Sequence, residues 1–98
     1  MAGNKFSLTK EMVLQAVSRA ISPDSNYIGD QVSRMHRAHV SAGGIGYPPR
    51  TSLVLSRLNA LAADGLLKKS DFTNGYYGYR WDITPAGRAA LRNHEEGQ

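Results

Sequence analysis

Along most of this chain the apolar positions recur at intervals of three and four, and once they switch to strict alternation. Across residues 7–21, Leu8, Met12, Val13, Ala16, Val17, Ala20 and Ile21 fall on one side of a helical wheel. That predicts a first amphipathic helix, capped by Ser7 or Thr9 and ended by the turn residues Ser22-Pro23-Asp24-Ser25-Asn26. Ile28, Val32 and Met35, spaced i, i+4 and i+7, predict a shorter second helix. Asp30 or Asn26 is its cap, and it runs to Arg37 or His39. Residues 40–49, VSAGGIGYPP, read as a loop that three glycines make permissive and two prolines stiffen at its far end. A third helix follows, with Val54, Leu55, Leu58, Leu61 and Ala62 as its buried stripe. Pro49 suits its first position and Gly65 the place after its C-cap. Arg50, Thr51, Ser52, Ser56, Arg57 and Asn59 fall outside the stripe.

The alternating stretch predicts a hairpin. Asn74-Gly75 is a strong two-residue turn signal, because both positions need positive φ. Counting outward pairs Thr73 with Tyr76, Phe72 with Tyr77, Ser70 with Tyr79, Lys68 with Trp81 and Leu66 with Ile83. The opposite face pairs Asp71 with Gly78, Lys69 with Arg80 and Leu67 with Asp82. Tyr76, beside the turn, is the aromatic that falls off the packed face. Thr84-Pro85 then opens a fourth helix over 86–93. One domain over 7–93 with flexible ends at 1–6 and 94–98 is expected. Helix, helix, loop, helix, hairpin, helix predicts an α+β, mainly α architecture: a winged helix-turn-helix with three helices, a two-stranded wing and a short C-terminal helix. In that arrangement the third helix enters the major groove of DNA.

Composition narrows the chemistry. The 98 residues include no cysteine, which excludes a disulfide framework and a thiolate metal site. No apolar run reaches membrane length and the start carries no secretory pattern, so a cytoplasmic, nucleoid-associated location is expected. Net charge is +4. Segment 34–80 holds seven basic residues against two acidic ones, +5, and the rest holds five against six, −1. Such a local excess suits a polyanion, and equally an ordinary solvated surface. His36-x-x-His39 has helical spacing but offers too few ligands for a closed metal site, and reads as part of a polar face near phosphate. Gly43-Gly44-Ile45-Gly46 lacks the lysine and hydroxyl of a phosphate-binding loop. No nucleophile elbow or placed carboxylate pair is present, so neither an enzyme, a cofactor nor a metal is expected.

GYPPRTSLVLSRLNALAADGLL resembles the recognition helix of PadR-type winged-helix transcriptional regulators, and YYGYRWDITPAGRAAL resembles the family's second wing strand and following helix. The resemblance implies sequence-specific double-stranded DNA binding and transcription control, repression more than activation. By it, Arg50, Thr51, Ser52, Ser56, Arg57, Lys69, Asn74 and Arg80 would contact DNA. Lys68 of the wing and Arg34 and Arg37 of the basic segment complete the candidate set. The family's long C-terminal dimerisation helix is missing after Thr84. A homodimer would then form through the first helix if Leu8, Met12 or Met1 stays exposed, and a monomer is the other outcome. The alternative function is a winged-helix protein-interaction module, such as a phage-encoded inhibitor or a complex subunit. Neither the operator nor a small-molecule effector is legible.

Overall fold

Thr9 starts the first helix, α1 (Lys10–Arg19), because its hydroxyl accepts from Met12 N at 3.2 Å. The computed structural model describes residues 3–71 and 79–96, with side chains through Asn93. Within them follow α2 (Ser25–Ser41), α3 (Thr51–Ala63), β1 (Leu67–Asp71), β2 (Tyr79–Ile83) and α4 (Pro85–Glu96). The protein is thus α+β and mainly helical, with one antiparallel two-stranded sheet among the described residues.

Several expectations change in detail. Helix α1 stops at the C-cap Ala20, leaving Ile21 90% exposed, while Leu8 is buried ahead of the helix. Asp24 caps α2, its carboxylate accepting from Tyr27 N at 2.9 Å; neither Asn26 nor Asp30 does so. Pro23 and Asp24 are more than a turn. Trp81 N donates to Pro23 O at 2.7 Å and Asp24 pairs with Arg80, so this segment lies along the free edge of β2. Helix α2 also runs on to Ser41, past the expected end. Arg50, in extended backbone at φ −73° and ψ 152°, is the N-cap of α3, and Pro49 precedes that cap instead of entering the helix.

Asn4 and Phe6, expected in a loose start, bond to the loop after α2. Phe6 N donates to Ile45 O at 2.8 Å and Ile45 N to Asn4 O at 2.9 Å. The two histidines complete this clasp: His36 Nε2 donates to Gly46 O at 2.9 Å and His39 Nε2 to Asn4 O at 2.6 Å. Phe6 stands edge-on to both rings, at 5.3 and 5.4 Å. Their i, i+3 spacing therefore grips the N-terminal segment and does not present a face to phosphate.

The hairpin register is one residue away from the expected one. Leu67 faces Ile83, Lys68 faces Asp82, Lys69 faces Trp81, Ser70 faces Arg80 and Asp71 faces Tyr79. Burial decides this: Leu67 and Trp81 both point into the core, and paired strands must send both to one face. The doublet Leu66-Leu67 hid which leucine points inward. Consequently Lys69 shares the packed face with Trp81 and does not oppose Arg80. The Asn74-Gly75 turn, Tyr76 and the rest of 72–78 lie outside the described residues.

Gly65 sits at φ +78°, where an L side chain is strained. It ends α3 by letting Leu66 N reach Leu61 O at 2.9 Å while Gly65 N bonds Ala62 O at 3.0 Å. An added Cβ there meets open space. Gly65→Ala should therefore cost about 1 kcal/mol from backbone strain alone, with Gly65→Asn milder, as read by urea denaturation. Equal stability of all three would mean that the left-handed stop is unimportant.

The core gathers Val13, Ile28, Val32, Leu58, Leu61 and Trp81, all essentially inaccessible, and among the described residues no polar or charged side chain is buried. Helices α1, α2 and α3 all pack here, and β2, which packs on α1 and α2, adds Trp81 to the same core. The Trp81 indole N–H donates to Ser25 Oγ at 3.0 Å, so its polar atom is satisfied at the start of α2.

Candidate nucleic-acid interface

Three sides of α3 have distinct surroundings. Val54, Leu58 and Leu61 face the core. One flank faces α1, where Arg57 Nε donates to Leu8 O at 3.1 Å and Asp64 pairs with Lys10 at 2.9 Å. The Asp64 carboxylate raises the Lys10 ammonium above its ordinary range, through their hydrogen bond and then their opposite charges. The other flank faces the hairpin, where Lys69 Nζ donates to Asn59 Oδ1 at 3.0 Å. Outward, between the flanks, stand Ser52 and Ser56, exposed, with exposed Thr51 at the start of the helix.

This sorts the candidate residues. Ser52 and Ser56, one turn apart, share one accessible strip, and exposed Arg50 and Thr51 stand at the start of the helix, Thr51 on the side of Leu55. Arg57 does not join them: it is half-buried and turned toward α1, away from the hairpin. Lys69 lies beside the strip, its ammonium 4.0 Å from the centre of the Tyr79 ring and 5.3 Å from that of Trp81. Lys68 and Arg80 occupy the opposite face of the sheet, and Arg80 forms a salt bridge with Asp82 at 3.0 Å. On α2, Arg34 pairs with Asp30 at 3.2 Å, while Arg37 is exposed without an ion pair among the described residues. Both ion pairs are solvent-exposed and so contribute little, which leaves a phosphate able to compete for either arginine. Asn74 lies outside the described residues.

Asn59 is the residue the sequence reading left out of the candidate set. The spacing Ser52, Ser56, Asn59 (i, i+4, i+7) was visible as a polar row; what could not be seen was that the hairpin meets it. A groove of about 380 Å³ runs beside the strip, lined by Ser25, Asn26, Gly29, Pro49, Thr51 and Tyr79 among others. Its floor is Val32, Val54 and Leu55, so α2, the start of α3 and β2 present one continuous surface.

Of the three residues on which first-helix dimerisation was to rest, Leu8 is buried, Met12 is half-buried against the core, and Met1 lies outside the described residues. Among the described residues no helix is long and apolar enough to cross a membrane. The chain matches no protein-family model, no curated protein and no solved structure.

Proposed function

We propose that this chain is a winged helix-turn-helix domain that binds double-stranded DNA in a sequence-specific way and acts in transcription control, repression before activation. Helix α3 is the recognition helix and the β1–β2 hairpin the wing. The observation that carries the reading is the accessible row of short hydroxyl side chains on α3, Ser52 and Ser56, with Arg50 and Thr51 exposed at the helix start and a hairpin bonded to the same helix. Short hydroxyls let a helix backbone approach base edges closely, and an arginine at the helix mouth offers a fork to a guanine or a phosphate. The helix start carries no side-chain cap, so its backbone N–H groups and dipole add to the attraction for a phosphate. Of the basic excess of segment 34–80, Arg50 stands at the helix start and Lys69 beside Asn59 on the same helix.

The resemblance to PadR-type regulators supports the same architecture. Gly65 is required by the helix stop, and Thr84 Oγ1 both donates to Gly65 O at 2.7 Å and accepts from Gly87 N at 3.1 Å. The matching DGL and TPAG residues thus have structural work in this fold, which speaks for the architecture more than for one subfamily.

Binding to random duplex DNA at low salt, with log affinity falling by about 0.9 per phosphate contact for each unit of log salt, is expected. Arg50→Ala should weaken binding by about 1–3 kcal/mol if the arginine reads a guanine. Arg57→Ala should instead lower thermal stability and leave base preference unchanged, because its bond is to Leu8 O. Absence of any duplex binding at low salt would sink the DNA reading and leave the protein-interaction module in its place.

A further inference from the structure

The Asn59 side chain is oriented by two partners of unambiguous chemistry. Its Nδ2 donates to Leu55 O at 3.0 Å, one turn back along α3, and its Oδ1 accepts from Lys69 Nζ at 3.0 Å. A carbonyl only accepts and an ammonium only donates, so neither bond survives an amide flip. Lys69 is itself held, since its ammonium lies over the rings of Tyr79 and Trp81, and Trp81 is anchored in the core. The amide therefore has a fixed orientation on a residue that is exposed and that continues the Ser52–Ser56 row.

An asparagine amide has two N–H donors and two oxygen lone pairs. The intramolecular bonds use one of each. One donor and one acceptor remain, and reading a base requires them to share the amide's outer edge. In the major groove adenine presents a complementary pair, the N7 acceptor and the N6 donor. Guanine presents two acceptors, which would set an acceptor against Oδ1. Resting on the DNA-binding reading above, we propose that Asn59 reads an adenine in the major groove and determines specificity there, with Lys69 as the positioning residue that sets its amide. Asn59 carries no charge, so its contribution is base choice, whereas Lys69 acts through the amide and not chiefly as a phosphate contact.

The experiment selects bound sites from random duplexes with the full chain and then measures affinities for the selected site. An adenine should be fixed at one position, and replacing it with guanine or with 7-deazaadenine should weaken binding roughly 5- to 150-fold. Asn59→Ala should bind the adenine and guanine forms to within about two-fold of each other while melting like the parent. Lys69→Met should lose adenine preference as well as affinity, and Lys69→Arg should regain the preference, since arginine can donate to the same oxygen. A lysine acting only on phosphate would lower both forms equally, and that result overturns its positioning role. Unchanged base preference in Asn59→Ala, or indifference of the parent to 7-deazaadenine at every adenine, overturns the assignment while DNA binding stands. Failure of the parent to bind any duplex overturns both together. The 7-deazaadenine arm uses the parent protein alone and so does not depend on how any variant folds.

Discussion

Trp81→Ala is expected to lose about 3–5 kcal/mol of folding stability, the usual range for emptying a fully buried aromatic site. A domain of this size has roughly 5–15 kcal/mol in all, so the variant should be partly unfolded near physiological temperature. Trp81 has zero accessible surface and lies where β2 meets α1 and α2. Its removal leaves a cavity that none of these elements can close without moving, and strands Ser25 Oγ without its donor. It also removes the ring beside which Tyr79 and the Lys69 ammonium lie, their distances to its centre being 6.0 and 5.3 Å. The loss therefore reaches the proposed recognition surface: on the DNA-binding proposal the variant should bind DNA more weakly and with less base preference, even where folding is restored by low temperature. Trp81 is the only tryptophan, so the transition must be followed by circular dichroism. A loss below about 1 kcal/mol would mean that Trp81 is not the centre of the core.

Gly87→Ala tests the far side of the same core and its sign alone is informative. Alanine favours a helix over glycine by about 1 kcal/mol, so in an uncrowded α4 the change would stabilise. Here the new Cβ would collide with the Leu66 carbonyl oxygen and come 2.9 Å from Ile83 Cγ2. A backbone carbonyl cannot turn aside as a side chain can, and this one also accepts from Thr84 N at 3.2 Å. Helix α4 must therefore move away, and a net loss of about 1–3 kcal/mol is expected from the overpacking. Guanidinium denaturation followed by Trp81 fluorescence gives the number. A stabilised variant would show that α4 does not press on the Leu66 carbonyl.

Much of the architecture could be read from periodicity. The positions of α1, α3 and α4, the hairpin, the Thr84 cap and the glycine stop at Gly65 follow from local signals that need no partner. The α2 boundaries did not follow, because Asp24 lay among turn residues and its capping role depends on what succeeds it. The hairpin register failed for a different reason. A turn signal at Asn74-Gly75 and an apolar doublet at Leu66-Leu67 admit two registers one residue apart. Only the common burial of Leu67 and Trp81 selects between them, and with it the face on which Lys69 stands.

The candidate surface divides along the same line. By itself the chain determined that α3 carries an apolar stripe and a polar remainder, since helical spacing fixes which residues share a side. It also determined where positive charge concentrates. Tertiary structure decided which polar residues face outward together. Arg57 and Asn59 both lie off the stripe, yet packing of α1 against one flank draws Arg57 to the Leu8 carbonyl, and packing of the hairpin against the other brings Lys69 to Asn59. Helical periodicity is a property of one segment, whereas the neighbour that each flank meets depends on contacts between residues 10 and 49 positions apart.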